Sequence, residues 1–344
     1  MSSTLIIDNG SYEIKIGLSN TTPDSIKRVQ NSISRTKDKR LLIANQLDTV
    51  NDISGMIFKR PIEKGHLTSW ETEKLVWDYC FTCQDVGLNI DTTSTDLIMS
   101  ETPFMLPNLS QNSDQIIFEE YGFQSLYKAP IGAFAPWNFK KNEELYEPKI
   151  ENDISTIQNY ADYQLVIDSG FNCTWIIPMV KGMVYWRGVR KLEIGGRFLS
   201  GVMREKVSFR HYNVTDETVL VNNIKEASCF VTMDYNKSLR DMKLHSKDNV
   251  VEYVLPDFNT TTHGYALTPE LRAKYKPQDQ QELKVVLPVE WEVRIAKPSN
   301  PTTYGWECAQ KFSENDLYKN VRVTREDYDE HGVQWVQKRF GFQL

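Results

Sequence analysis

The chain has 344 residues, 40% of them hydrophobic and 25% charged, with a formal net charge of −6. This is an ordinary soluble composition with enough apolar material for one large core or two, and length alone suggests two domains. The acidic balance supplies no global field for nucleic acid, so any such contact is expected to be local or made through partners. No apolar run reaches membrane-span length, and the N-terminus shows neither a basic leader nor a long apolar stretch, so neither a membrane contact nor a signal peptide is expected. The five cysteines, Cys80, Cys83, Cys173, Cys229 and Cys308, are scattered and odd in number. They point to free thiols in a reducing compartment, the cytoplasm or the nucleus.

In chain order, residues 4–18 read as a strand hairpin: Thr4-Leu5-Ile6-Ile7 delivers Asp8, then Asn9-Gly10-Ser11 turns, and Glu13-Ile14-Lys15-Ile16 returns. Residues 20–56 read as polar and irregular, with a basic cluster of Lys27, Arg28, Arg35, Lys37, Lys39 and Arg40. Such a cluster is either a solvated loop or a contact for nucleic acid or an acidic partner. A Pro- and Gly-bounded connector, Phe58 to Gly65, precedes a helix capped by Thr68 or Ser69, with Glu71 and Glu73 in the first turn, where the helix dipole favours acids. Leu75 and Tyr79 are placed on its apolar face. Cys80 and Cys83 fall near its end and read as packing cysteines, because zinc would need a second ligand pair and only His66 is near.

Asp96-Leu97-Ile98-Met99 reads as a strand, 113–127 as helical, 164–168 as a strand and 172–187 as its returning hairpin. Thr215 opens a helix to about residue 230, with Leu220, Ile224 and Ala227 on one face. Strands alternating with helices indicate α/β layers.

Ile167-Asp168-Ser169-Gly170 repeats the design of Ile7-Asp8-Asn9-Gly10 about half a chain later. One Asp-x-Gly is a common hairpin turn. Two, each closing a strand at half-chain spacing, suggest two duplicated α/β domains facing each other. Turn N–H groups form an anion-binding nest, and glycine permits close approach of the backbone. Ser11 adds a donor and Lys15 a charge. Asp8 and Asp168 would repel phosphate directly, so their expected task is to hold the water shell of Mg²⁺. A cleft between the domains then becomes a nucleotide site.

These features resemble the actin superfamily. Pro61-Ile62-Glu63-Lys64-Gly65 with Thr68 and Trp70 is similar to the segment before an actin helix, and Ser100-Glu101-Thr102-Pro103 to the actin Thr-Glu-Ala-Pro stretch. Ile117-Phe118-Glu119-Glu120-Tyr121 continues that likeness. Ile224-Lys225-Glu226 with Cys229 resembles the actin helix whose Lys and Glu contact adenosine. Asp327-Tyr328-Asp329-Glu330-His331-Gly332 resembles the actin C-terminal segment. The resemblance implies an actin/Hsp70/hexokinase-like fold of two duplicated α/β domains flanking a nucleotide cleft. The expected division is 1–150, with 20–56 as a variable insertion and 58–100 as a connector, then 151–320, with 321–344 as a C-terminal helix packing back on the first domain. It further implies ATP or ADP as a structural ligand, with or without Mg²⁺, held by Asp8, Gly10, Ser11, Lys15, Asp168, Ser169, Gly170, Lys225 and Glu226.

Val323-Thr324-Arg325-Glu326-Asp327-Tyr328 and Tyr304-Gly305-Trp306-Glu307 point to an actin-related protein rather than actin. The subclass they resemble implies a nuclear subunit of a Swr-type remodeller, which exchanges a variant histone into nucleosomes. The implied partners are its catalytic ATPase subunit, its zinc-finger subunits and the nucleosome, with a local DNA contact through Lys37, Lys39 and Arg40. A homopolymer is not expected.

The pattern breaks at four places. Tyr127-Lys128-Ala129-Pro130-Ile131 puts isoleucine where actin has the glutamine that positions the attacking water. Phe171, Asn172 and Trp175 stand where the second actin loop continues with Asp-Gly and a nearby histidine. Positioning is most of what catalyses phosphoryl transfer, so hydrolysis is expected to be absent or very slow. Tyr12 replaces a small residue of the first loop, where a ring would crowd a γ-phosphate. Finally, the resemblance fails between about Thr260 and Val293 and resumes at Arg294. A piece the size of a small domain is expected to be missing. Of a true loss and a sequence that joins segments across a gap, near Leu287-Pro288-Val289, the gap is the favoured reading, because a loss would remove one wall of the cleft. The competing functional readings are a nucleotide-hydrolysing ATPase or sugar kinase of the same superfold, and a polymerising cytoskeletal actin.

Overall fold

A computed structural model describes residues 3–36, 38–50, 56–83, 88–138, 163–208, 214, 217–232, 234–244, 251–256, 264–267, 282–285, 298 and 300–340. Most of the stretch from about Thr260 to Val293, where the resemblance fails, lies outside the described residues. It divides into two compact units, one of residues 1–47, 58–196 and 296–344, the other of residues 48–57 and 197–295.

The first unit is built on a six-stranded mixed sheet in the order β17-β9-β8-β1-β2-β3. Here β1 is Ser3–Asn9, β2 Glu13–Leu18, β3 Lys27–Gln30, β8 Thr95–Ser100, β9 Ser125–Ala129 and β17 Val323–Thr324. β1 pairs antiparallel with β2 and parallel with β8, so it is central and needs apolar side chains on both faces. Leu5, Ile6 and Ile7 meet that need and are all buried.

Alternation sends them to opposite layers. Leu5 and Ile7 join Val76, Trp77, Cys80 and Phe81 of the helix α1 (Trp70–Thr82), together with Phe118, Phe123 and Tyr328. Ile6 joins Ile98, Phe134, Trp306 and Phe312 on the other side, where Trp306 Nε1 donates to the Ile6 carbonyl at 3.0 Å. Each such buried large side chain contributes about 1.5–3 kcal/mol of transfer free energy.

The second sheet of this unit holds β10 (Tyr163–Ser169), β11 (Thr174–Val180), β12 (Met183–Val184) and β13 (Arg190–Leu192), with β10 and β13 both paired to β11. The C-terminal segment returns to the first sheet: Val323 pairs with Leu126, and the helices Arg325–His331 and Val333–Phe340 follow. Thr324 opens the former with a capping box to Asp327.

The other unit packs Met203 and Val207 of α3 (Gly196–Ser208) with Val221 and Ile224 of α4 (Thr218–Ser228) and Tyr253 of β14 (Val251–Val254). β14 lies between β15 (Tyr265–Ala266) and β16 (Glu282–Val285) in a three-stranded sheet.

Several local expectations are corrected. The 20–56 region is not irregular throughout: it carries β3 and the hairpin β4 (Ile33–Arg35) with β5 (Leu41–Ile43), and a short hairpin of β6 (Ile62–Glu63) with β7 (His66–Leu67) follows. The helix expected at 113–127 runs instead from Pro107 through α2 (Pro107–Gln115) and a wider turn at Ile116–Glu120, while 125–129 is strand β9. Pro107 starts it because proline fits the first helical position, and Leu126 is drawn into parallel pairing with Leu97.

On α1 the buried stripe is Thr72, Glu73, Val76, Trp77, Cys80 and Phe81, one position on from Leu75 and Tyr79, which are half-buried. Thr215 lies outside the described residues and α4 begins at Thr218; its buried stripe is Val221, Asn222, Ile224 and Ser228, and Ala227 faces solvent. Cys80 and Cys83 are free thiols, and among the described residues no group of three or more His, Cys, Asp or Glu is placed to hold a metal. Among the described residues no helix is long and apolar enough to cross a membrane.

Candidate functional site

The first loop is the turn between β1 and β2. Asp8 stands opposite Lys15 in the antiparallel register, and their charges meet at 3.2 Å between Asp8 Oδ2 and Lys15 Nζ. Ser100, at the end of β8, donates its hydroxyl to Asp8 Oδ1 at 3.0 Å and accepts from the Asn9 N–H at 2.8 Å. Gly10 is required here: a Cβ on it would meet the Glu13 carbonyl oxygen at 2.4 Å. Asn31 fastens the turn from behind, with its side-chain amide donating to the Gly10 carbonyl at 3.0 Å and its N–H to the Tyr12 carbonyl at 2.9 Å.

The second loop joins β10 to β11 with the same plan. Asp168 stands opposite Trp175, and Ser169 opposite Thr174, with their hydroxyls 3.0 Å apart. Gly170 N–H donates to the Cys173 carbonyl at 3.0 Å and its carbonyl accepts from Gly196 N–H at 3.0 Å. Gly195 is wedged beneath this turn, where a Cβ would approach the carbonyls of Phe171 and Gly170 at 2.7 and 2.8 Å. Gly195-Gly196 therefore forms the floor of this turn.

The two loops face each other. The Tyr12 and Phe171 rings lie 5.0 Å apart at 43°, and the charge of Asp8 acts on Asp168. Burial pushes the Asp168 carboxyl up to about 6, Asp8 adds to the rise and Lys15 opposes it. Asp168 keeps some solvent contact along its edge, yet protein surrounds its carboxylate, so the rise is the expected direction. Burial opposes the charge on Lys15, but Asp8, Glu13 and Asp168 together outweigh it and raise its pKa above the usual value.

Asp8, Gly10, Ser11, Lys15, Asp168, Ser169 and Gly170 are thus brought to one place within the first unit. Lys225 and Glu226 belong to the other unit. There Lys225 Nζ donates to Asn222 Oδ1 at 2.7 Å and to Ser200 Oγ at 3.1 Å, and Asn222 Nδ2 donates to Glu226 Oε1 at 2.7 Å. Burial lowers the Lys225 pKa, against the pull of Glu226 and Cys229. The oxygen-rich pair Asp8 and Asp168 suits a hard divalent ion that keeps its waters, and the glycine turns and Lys15 suit phosphate oxygens. The ring of Tyr12 against Phe171 narrows what fits between the turns.

Ile131 opens a 3₁₀ turn, Ile131–Asn138, just beyond β9. Its side chain is turned onto the helix Tyr304–Ser313, where a Cβ on Gly305 would meet Ile131 Cγ1 at 2.4 Å. Its neighbour Gly132 backs onto the second loop, within 3.9 Å of Asp168 Cβ for an added methyl. Trp175 is buried on the inner face of β11 beside Phe104, with Lys191 Nζ 5.7 Å from its ring centre.

Three contributors escaped the sequence reading. Ser100 was seen only as part of a resembling stretch. Arg60 was passed over as part of a connector. Glu73 reads in the sequence as a first-turn acid placed for the helix dipole, whereas it is fully buried and its pKa is pushed up to about 7 by burial, against hydrogen bonds from Asn9, Asn31 and Trp77. Its spacing three and four residues before Val76 and Trp77 was the available signal.

Paired Asp-x-Gly turns facing each other beside a mixed sheet with helices on both faces define an actin-type α/β protein. The chain belongs to the actin family: the family model described as Actin matches residues 1–267. It is 37% identical over 420 aligned positions to the actin-like protein ARP6 of Kluyveromyces lactis, and 35% identical over 437 positions to that of Saccharomyces cerevisiae, each comparison covering 98% of both chains. The ARP6 of Candida albicans is 40% identical over 312 positions, covering 82% of this chain and 66% of that one. This chain supplies about 337 residues, 98% of its 344, to the 420 positions shared with the Kluyveromyces relative. Roughly 80 positions are therefore filled in that relative and not here.

Proposed function

We propose that this actin-related protein is a non-hydrolysing structural subunit of a nuclear ATP-dependent remodelling complex that exchanges a variant histone into nucleosomes. The observation that carries the non-hydrolysing part is the packing of Ile131 on Gly305. At the position where the family resemblance puts a water-orienting amide, an alkyl group is committed to the core and can neither donate to water nor accept from it. The remodeller assignment rests on the likeness to ARP6 proteins across nearly the whole chain.

In this reading ATP or ADP serves as a structural ligand. Gly10, Ser11, Lys15, Ser169 and Gly170 hold its phosphates, and Asp8 and Asp168 order the waters of Mg²⁺. The partners are the catalytic ATPase subunit of a Swr-type remodeller, its zinc-finger subunits and the nucleosome. The exposed Lys39 and Arg40 add a local DNA contact; Lys37 lies outside the described residues. The nucleus is the site of action, with synthesis and transit in the cytoplasm. Affinity capture of the tagged chain from nuclear extract tests this: recovery of a remodeller ATPase with its subunits supports it, and recovery of filaments or of no nuclear assembly contradicts it.

A further inference from the structure

Arg60 sits at the seam of the two loops. Its guanidinium carbon lies 4.6 Å from the centre of the Tyr12 ring and 5.3 Å from that of Phe171. The same group donates from Nη1 to the carbonyls of Tyr12 at 2.9 Å, Asn31 at 3.3 Å and Ser11 at 3.4 Å. One residue therefore ties down the backbone of the first loop and cements an aromatic contact that crosses to the second.

Both ends of this bridge are anchored. Lys59, next to Arg60, exchanges backbone hydrogen bonds with Ile33 at 2.8 and 2.9 Å. Phe171 rides on a turn closed by the Gly170–Cys173 and Gly196–Gly170 hydrogen bonds and floored by Gly195. A guanidinium held over rings and bonded through Nη1 to three carbonyls loses little freedom on forming these contacts, because its planar fork is already organised.

We infer that Tyr12, Phe171 and Arg60 form a built-in latch that fastens the first loop to the second without a ligand. The inference rests on reading both turns as phosphate loops. In a cleft of that kind the phosphates and their ion bridge the two turns, and removing them loosens the pair. Here an aromatic and cationic contact does the bridging permanently. The consequence is a subunit whose loops hold their spacing whether the nucleotide is present, exchanged or gone, which suits a protein that presents a fixed surface rather than cycling.

The test is thermal unfolding of the purified full-length chain, with and without treatment by apyrase and EDTA, in wild type and in Tyr12→Ala, Phe171→Ala and the double variant. The wild-type midpoint is expected to fall on stripping by less than Phe171→Ala lowers it, the loss of a bound ligand alone. Each single variant is expected to melt about 2–4 °C lower, and the double variant by clearly less than the sum, because the two rings act through one contact. Additive losses, or a wild-type midpoint that falls on stripping as far as Phe171→Ala does, would overturn the latch. Phe171→Leu keeps apolar volume without the ring, and replaces the alanine variant in the cycle should that one not fold. A parallel titration with fluorescent ADP separates the two ideas: if neither wild type nor Phe171→Leu binds it, the phosphate reading fails, while the cycle still judges the latch.

Discussion

Ile131 and Gly305 are locked together: there is no room for even one methyl between the 3₁₀ turn that follows β9 and the helix Tyr304–Ser313. Alanine is the better helix former by about 1 kcal/mol, but overpacking of a filled site costs about 1–3 kcal/mol. Gly305→Ala is therefore expected to lower stability by about 1–2 kcal/mol in urea unfolding. Combining it with Ile131→Ala is expected to recover part of that loss, since the clash is with the isoleucine alone.

Glu73 gives the fold a pH dependence. Its carboxyl is fully buried behind the first loop, within reach of Asn31 at 3.4 Å, and titrates at about 7 rather than at 4.5. An acid whose folded value stands above its unfolded one keeps its proton longer in the folded chain. Its contribution is thus most favourable below about 4.5, is lost as pH rises from there to about 7, and is level beyond. The span of this effect is about 3 kcal/mol. Glu73→Gln, which imitates the protonated form, is expected to flatten the slope of unfolding free energy between pH 5 and 7 and to raise stability at pH 8. An unchanged slope would place the titration elsewhere.

Lys128 holds a buried charge cluster at the back of the sheet. Its ammonium, with a side chain 1% exposed, reaches Asp114 Oδ1 at 2.6 Å, Ser110 Oγ at 2.5 Å and Glu101 Oε1 at 3.3 Å. Gln337, from the C-terminal helix, donates to Asp114 Oδ2 at 2.8 Å. Lys128→Met strands two acids in the interior and is expected to cost about 3–5 kcal/mol, whereas Gln337→Ala removes one neutral donor and costs about 1–2 kcal/mol. Urea midpoints at constant slope measure both.

Much of the frame was legible in the residues. The two Asp-x-Gly turns stood out because strand alternation and glycine requirements are local, and they predicted the facing loops. The α1 stripe was misplaced by one position because Glu73 reads as a first-turn acid placed for the helix dipole. Only a tertiary arrangement, with Asn9, Asn31 and Trp77 converging on it, makes a buried carboxyl tolerable. The start of β9, residues 125–127, reads locally as the end of a helix, because what makes it a strand is the pairing of Leu126 with Leu97, a contact that lies beyond any local window. The role of Arg60 was hidden for the same reason: Tyr12, Asn31 and Phe171 meet it from three separate stretches of chain.

The exposed Lys39 and Arg40 carry the proposed DNA contact. Reversing both to glutamate is expected to weaken crosslinking to nucleosomal DNA in the assembled complex while leaving the assembly intact. Unaltered crosslinking would reduce the pair to a solvated turn.

The central claim is that the paired loops organise a nucleotide without cutting it. Single-turnover assays with γ-labelled ATP, on wild type and Asp168→Asn side by side, address it most directly. Phosphate release indistinguishable between the two, at the background rate, is the expected result. Release by the wild type that disappears in Asp168→Asn would contradict the account.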